Sequence, residues 1–114
     1  MTCLSDYEKF VHDAWFLGDS KLGGMPEGGY LPLCIAGEAG ELADKVKKVY
    51  RDHDGKMQEW DVRAVIRELG DLLYYLTRYG QYLGYSLDTI MLMNVEKLQG
   101  RMERGTMRGE GDNR

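Results

Sequence analysis

The chain has 114 residues, of which 30% are charged and 43% are hydrophobic, and its formal net charge is −4. This length allows one domain with a modest core, and the composition is typical of a soluble helical protein. The acidic balance argues against a nucleic-acid surface, which needs a basic face.

No apolar run is long enough for a membrane span, and the N-terminal residues MTCLSDYEKF lack the basic-then-apolar pattern of a secretion signal. The cysteines, Cys3 and Cys34, are too few and too scattered for a disulfide framework or a zinc site. We therefore expect reduced thiols with a structural role in a cytoplasmic protein that contacts neither membrane nor nucleic acid.

The first predicted helix opens at residues 5–8 (SDYE), which have the form of a capping box. Apolar residues at helical spacing continue to about Gly18. Trp15 on this helix has two open interpretations: core packing, or an aromatic plate on which a flat base stacks. The glycine-rich stretch from Gly18 to Gly29 predicts a loop in which Lys21 is either solvated or within reach of a phosphate.

The second predicted helix runs from about Pro32, which suits a first turn, to Tyr50. Residues three apart share one face of a helix, so Glu38 and Glu41 project two carboxylates from one side. The ordinary interpretation of this charged stripe is a solvated face on which Glu41 pairs with Lys45. A second stripe is apolar and is expected to face the core: Leu33, Ala36, Gly40, Ala43, Val46 and Val49.

After a polar segment with an Asp-Gly turn signal, the third predicted helix runs from about Val62 to Leu83. Glu68 and Asp71 again lie three residues apart, at the edge of a wide leucine-rich face. Buried carboxylates without partners are costly, so this pair indicates a cation nearby. Tyr75 and Arg78 follow on the same side, where Arg78 meets either a phosphate or a surface acid.

Ser86 is the predicted cap of a fourth helix that spans Leu87 to Arg104. Asn94, Lys97 and Arg101 share one face of this helix and form a candidate clamp for phosphate oxygens, although each alone is commonly a surface residue. Leu87, Ile90, Met91, Val95 and Leu98 are expected to pack inward. We predict one domain over residues 1–104, followed by a flexible tail over 105–114 that is disordered or laid over a neighbour.

The two acidic pairs together predict a metal site. Four carboxylates from two facing helices form an oxygen-only cage, which suits Mg²⁺ and also Mn²⁺. Two other classes of protein stay open. A di-iron bundle also uses inward acids, but its Glu-x-x-His pairs have no counterpart here. A helical oligomerisation or regulatory module would carry the same acids as a solvated stripe, without enzymatic activity.

The motifs, taken in order, resemble those of a known family. The chain is similar to the MazG-like branch of the all-α nucleoside triphosphate pyrophosphohydrolases from Ser5 to about Arg104. The resemblance implies an all-α, four-helix bundle-like fold that assembles into a homodimer or homotetramer with sites near the subunit interfaces. It rests on Glu38-Ala39-Gly40-Glu41, Glu68-Leu69-Gly70-Asp71 and Asn94-Val95-Glu96-Lys97.

The resemblance also implies a Mg²⁺-dependent hydrolase that cuts a nucleoside triphosphate, ribose or deoxyribose, between its α- and β-phosphates. The products are a nucleoside monophosphate and pyrophosphate, for control of nucleotide pools or removal of damaged nucleotides. By the same similarity, the catalytic metal ligands are Glu38, Glu41, Glu68 and Asp71. Asn94 and Lys97 are expected to contact phosphate, with Arg101 and Lys45 or Arg78 as further cations. Trp15 and Tyr75 are the candidates for stacking on the base.

One position departs from the family pattern. Some relatives carry a further glutamate immediately before the first motif glutamate, where it is proposed to help activate water. In this chain that position is Gly37. The identity of the general base is therefore open, as is the preferred base, because a few pocket contacts decide it.

Overall fold

The computed structural model describes residues 3–15 and 25–114, and these residues form four helices and no strand. The helices are α1 (Leu4–Ala14), α2 (Glu27–His53), α3 (Glu59–Leu83) and α4 (Leu87–Arg104). The predicted all-α class is therefore confirmed. The predicted end of the first helix near Gly18 and the phosphate contact considered for Lys21 lie outside the described residues. Among those that are described, no helix is long and apolar enough to cross a membrane.

The capping box predicted for the first helix is wrong. Helix α1 begins at Leu4, and the side chain of its N-cap residue, Cys3, accepts no hydrogen bond from a backbone N–H; its thiol donates instead to the Asp6 carboxylate at 3.0 Å. Glu8 instead accepts a hydrogen bond at 3.2 Å from the backbone N–H of Leu87, the first residue of α4. The first N–H groups of a helix lack intrahelical partners, and Glu8 satisfies one of them on a neighbouring helix. Its contribution is therefore tertiary and ties α1 to α4.

The predicted start of the second helix near Pro32 is also wrong, because α2 begins at Glu27 and holds Pro32 inside it. Gly28 and Gly29 favour helix poorly, which is why the sequence predicted a loop here. Packing on α3 overrides that preference: an added Cβ at Gly28 would lie 2.9 Å from the Tyr82 ring. A larger residue at position 28 would require the Tyr82 ring to shift where the start of α2 meets the end of α3.

The remaining helix ends follow local chemistry more closely. Helix α3 begins before the predicted Val62, where the backbone N–H of Gln58 donates to the Asp61 carboxylate at 2.9 Å. The bounds of α4 agree with the prediction, and the Ser86 hydroxyl accepts from the Thr89 N–H at 3.2 Å. The predicted Asp-Gly turn is present between α2 and α3, with positive φ angles of 53° and 76°.

Helices α2 and α3 form an antiparallel hairpin, and one acid of each motif, Glu38 or Glu68, lies on its packed faces, whereas Glu41 and Asp71 are exposed. Each face follows three- and four-residue steps, and its members are buried or half-buried. On α2 they are Leu31, Ile35, Glu38, Leu42, Lys45 and Val49, and on α3 they are Asp61, Val65, Glu68, Leu72, Tyr75 and Tyr79.

This arrangement corrects most of the apolar stripe predicted for α2, in which only Val46 and Val49 are half-buried or buried as expected. Leu33 is 59% exposed, and Ala36, Gly40 and Ala43 are exposed as well. The stripe that packs contains four larger aliphatic side chains, so it removes more apolar area from water than glycine and alanine do. The larger gain in burial sets the rotation of the helix, and Glu38 and Lys45 are carried inward with it.

The single chain leaves much apolar surface open. Its accessible surface is 8404 Å², against about 6,400 Å² expected for a compact monomer of this mass. Its radius of gyration is 17.3 Å, against about 13 Å expected for this length. Of the α4 residues predicted to pack inward, Leu87 and Leu98 are buried or half-buried, and Ile90 contacts Gly80 of α3. Contrary to the prediction, Met91 and Val95 do not pack inward, with exposed fractions of 48% and 47%.

Candidate metal centre

Three of the four predicted metal ligands come together. Glu38 and Glu41 on α2 and Glu68 on α3 each place a carboxylate oxygen within 4.8 Å of the others. The two glutamates of α2 share a face because they are one turn apart. The hairpin brings that face against α3 at Glu68. Carboxylate oxygens at such separations are the donor set that hard divalent cations prefer.

Asp71 stands apart from this cluster but borders the same space. It is exposed, one turn beyond Glu68, and with Glu38 and Gly70 it lines a cavity of about 490 Å³. Its charge is close enough to Glu38 to contribute to the raised pKa of that carboxyl. The fourth acid of the predicted cage is thus on the cavity wall, on the side of Glu38.

The three glutamates are short of compensating groups. The Oε2 atoms of Glu38 and Glu68 are buried, and neither has a hydrogen-bond partner within residues 3–15 and 25–114. Burial, the hydrogen bond to Glu68 and the charges of Glu41 and Asp71 raise the pKa of Glu38 to about 7. Buried acceptors without donors are costly. A divalent cation would satisfy both oxygens, so these residues fit a metal site.

Lys45 supplies a positive charge to this cluster of three glutamates. Its ammonium group pairs with Oε1 of Glu68 across the hairpin, not with Glu41 as the solvated-stripe interpretation requires. The hydrogen bond lowers the pKa of Glu68 and raises that of Lys45. Because the Glu68 side chain is 6% exposed and that of Lys45 is 39% exposed, the lysine reaches in from the rim.

The cavity beside the acids has aromatic walls. Tyr75, a predicted stacking residue, lies there with Tyr7, Phe10 and Tyr74, and its ring meets that of Tyr74 edge-on at 5.2 Å. Burial raises the pKa of Tyr75 to about 12, so its phenol stays neutral. Motif spacing did not indicate a site role for Tyr7, Phe10 or Tyr74. Only the helical spacing of Tyr7 and Phe10 hinted at a shared face.

Trp15 and Arg78, both predicted to contact substrate, do not line the acidic cavity themselves, but the Trp15 ring lies 6.5 Å, centroid to centroid, from that of Tyr74, which does line it. The Trp15 indole N–H donates to Oε1 of Glu27, and Nη2 of Arg78 reaches the same oxygen at 3.0 Å. The guanidinium carbon of Arg78 lies 5.2 Å from the centre of the Trp15 ring, within cation–π range. These three residues join α1, α2 and α3, and the charge of Arg78 is already paired.

Asn94 and Lys97 border a second, largely apolar cavity of about 540 Å³ between α3 and α4, together with Gly80 and Tyr85. From Asp71 to Gly80 the axis of α3 rises by roughly 14 Å. The structure therefore does not bring the predicted phosphate contacts of α4 to the carboxylates within one chain.

Arg101, the third member of the predicted clamp, is turned toward the C-terminal residues. It is 6% exposed, and its Nη2 donates to the backbone oxygens of Gly111 and Asp112 at 3.3 Å each. Residues 105–114, predicted to be disordered or laid over a neighbour, form turns and bends against the end of their own α4.

Comparison with known proteins agrees with the motifs. The model of the MazG nucleotide pyrophosphohydrolase domain matches residues 30–106, which include both acidic motifs, Asn94 and Lys97. The Gene 37 protein of Mycobacterium phage L5 is 41% identical over 85 residues, which cover 75% of each chain. No solved structure gives a significant match. Because the domain model spans most of the chain, this protein belongs to the MazG nucleotide pyrophosphohydrolase family.

Proposed function

We propose that this chain is a Mg²⁺-dependent nucleoside triphosphate pyrophosphohydrolase, for which Mn²⁺ can substitute. It cleaves between the α- and β-phosphates and releases a nucleoside monophosphate and pyrophosphate, and it thereby controls a nucleotide pool or removes damaged nucleotides. Family membership supports the reaction class. The observation that carries the proposal is the cluster of Glu38, Glu41 and Glu68, in which two buried oxygens lack partners among the described residues.

We assign the site residues the following roles. Glu38, Glu41 and Glu68 would hold the metal, and Asp71 would complete the site from the cavity wall. When bound, the metal neutralises phosphate charge and lowers the pKa of water. Lys45 lies at the rim of this cluster, where its ammonium group would bind a phosphate oxygen of the substrate.

The aromatic cavity next to the acids suits the nucleoside. Tyr74 and Tyr75, with Tyr7 and Phe10 opposite, offer flat apolar faces beside Glu38. Stacking of a base on an aromatic ring contributes about 1–3 kcal/mol and tolerates many bases. No glutamate stands at position 37, and an added Cβ at Gly37, Gly40 or Gly70 would meet nothing within 4 Å. This side of the site has room for a substrate.

Asn94 and Lys97 would take part through a second copy of the chain. An apolar seam runs along α3 at three- and four-residue steps from Val62 to Leu76 and ends seven residues further on at Leu83, the pattern of a helix that packs on another helix. Its members are 41–59% exposed: Val62, Ile66, Leu69, Leu73, Leu76 and Leu83. The surface in excess of a compact monomer is about 2,000 Å², enough for one chain's share of an obligate homodimer interface. We propose a homodimer or homotetramer that completes the site.

The test is a panel of canonical ribo- and deoxyribonucleoside triphosphates with Mg²⁺, in which pyrophosphate and orthophosphate are measured separately. Pyrophosphate should form first, and orthophosphate as the first product would overturn the cleavage position. Glu41→Gln and Asp71→Asn should each lower kcat by at least about 100-fold, as loss of one active-site stabilising group does, with helicity by circular dichroism unchanged. Glu103→Gln, an exposed acid at the far end of α4, is the matched control.

A regulatory module without activity is the second candidate, and one observation favours it: Lys45 already neutralises Glu68 without metal. Isothermal titration with Mn²⁺ separates the two. A metal site should take up Mn²⁺ in the wild type and lose that uptake in Glu41→Gln. A passive module should show no specific uptake in either protein, and that result would remove the enzymatic proposal.

A further inference from the structure

The C-terminal tail places a carboxylate on two cations of α4. The Asp112 Oδ1 atom lies 3.7 Å from Lys97 Nζ and 3.3 Å from Arg101 Nη2. The same guanidinium nitrogen also bonds to the backbone oxygens of Gly111 and Asp112. One acidic side chain therefore bridges two positive groups that are one helical turn apart.

Arg101 belongs to the packed structure, Lys97 beside it is 42% exposed, and the acid is laid over both. Arg101 is 6% exposed, and its Nε donor is buried without a partner among the residues described. The Asp112 side chain, in contrast, is 85% exposed. Guanidinium and ammonium groups bind carboxylate and phosphate oxygens by the same charge-assisted hydrogen bonds. Lys97 and Arg101 thus form a preorganised anion site with donor capacity left over.

We propose that Asp112 is a built-in competitor at this site, and that an incoming polyphosphate must displace it from Lys97 and Arg101. The inference rests on the proposed function, in which Lys97 contacts substrate phosphate. Ion pairs that are open to solvent are weak, so the displacement is reversible. The tail then tunes the affinity for substrate without abolishing activity.

The tail is held in place by contacts that do not involve the Asp112 charge. Arg104 Nη2 donates to the backbone oxygen of Arg114 at 2.7 Å, and Arg114 Nε donates to that of Thr106 at 3.0 Å. Arg114 also reaches the oxygen of Met107 at 3.2 Å. Asp112→Asn therefore removes the competing charge while the turn that carries it keeps its hydrogen bonds.

The experiment is isothermal titration of the full chain with inorganic pyrophosphate in metal-depleted buffer at constant ionic strength. Asp112→Asn should lower the Kd two- to fivefold, the factor expected from loss of one solvent-exposed ion pair. Glu110→Gln is the matched control, because it removes one negative charge two residues away that forms no ion pair with the described residues. In a Lys97→Gln background the effect of Asp112→Asn should shrink.

Equal changes in Kd for Asp112→Asn and Glu110→Gln would mean that any lost negative charge strengthens pyrophosphate binding, and this would overturn the inference. An unchanged Kd in Asp112→Asn, or no pyrophosphate binding in any variant, would overturn it as well. With nucleotide and Mg²⁺, Asp112→Asn should lower KM by the same factor and leave kcat unchanged. If no variant hydrolyses nucleotide, the proposed function fails. The pyrophosphate titration then still tests whether Asp112 competes for Lys97 and Arg101. If hydrolysis is normal and the pyrophosphate titrations of the wild type and Asp112→Asn coincide, only the proposed role of the tail fails.

Discussion

At the scale of single residues, Glu38 shows how position changes the chemistry of a side chain. It would be an ordinary surface acid on a solvated helix face, yet burial and neighbouring carboxylates raise its pKa to about 7 from an ordinary value of 4.5. The folded chain therefore favours the protonated form. The stabilising effect of this group is complete below its ordinary pKa and is lost as the pH rises through 7.

This shift predicts that the metal-free protein becomes less stable between pH 5 and pH 8. The change assigned to Glu38 is on the order of 2 kcal/mol, and urea unfolding at several pH values measures it. Glu38→Gln, which is neutral throughout, should flatten the profile. Mg²⁺ should restore stability to the wild type at pH 8, where the carboxylate is free of its proton. An unchanged pH dependence in Glu38→Gln would contradict the assignment.

At the scale of helices, the α2–α3 hairpin depends on a cross-helix ion pair as well as on aliphatic packing. Lys45 lies among Leu42, Val49 and Glu68 on the packed faces. Its removal would leave the Glu68 carboxylate buried without a donor. Such an uncompensated buried charge destabilises a protein by about 3–5 kcal/mol, and by less where one partner reaches solvent.

We therefore expect Lys45→Met to lower the melting temperature of the metal-free protein, and saturating Mn²⁺ to recover most of the loss. The metal replaces the missing positive charge at Glu68. Lys47→Met is the matched control, because Lys47 pairs with Asp44 at the surface with 65% of its side chain exposed, and such pairs contribute about 0–1 kcal/mol. Equal losses in both variants, or no selective recovery with Mn²⁺, would refute this role for Lys45.

At the scale of the whole molecule, the single chain is too open to be the functional unit that we propose. The apolar seam of α3, defined above by its six side chains, faces outward along the full length of the helix. Two cavities with complementary chemistry, one acidic and one bearing Lys97, lie at different levels of α3. A second copy packed on the seam would cover its apolar side chains. We also expect it to bring the cavity that bears Lys97 in one chain next to the acidic cavity of the other.

Leu73→Glu tests this arrangement, since it puts a charge in the middle of the seam. Light scattering after size-exclusion chromatography should give the mass of two or four chains for the wild type and a smaller mass for the variant. Each buried leucine contributes about 1.5–3 kcal/mol, and the loss occurs in every copy. Leu33→Glu, which changes a leucine on α2 that is 59% exposed against 42% for Leu73, should leave the mass unchanged. A monomeric wild type would overturn the assembly.

Several features of the protein follow from the sequence because their causes are local. The all-α class follows from helical spacing, the bounds of α4 from Ser86 and Gly105, and the turn after α2 from an Asp-Gly pair. Family membership follows from the spacing of the acidic motifs, which is a property of neighbours along one helix. The roles of the individual site residues stay predictions.

The tertiary structure decided which face of α2 packs, and with it everything that depends on contacts between helices. The aliphatic stripe through Leu31 and Val49 buries more area than the stripe through Leu33, and so it carried Glu38 and Lys45 inward. Partners distant in sequence then fixed the rest: Glu68 for Lys45, Glu27 for Arg78, and Asp112 for Arg101. Spacing along one helix cannot reveal such pairs, because they form only when separate segments meet.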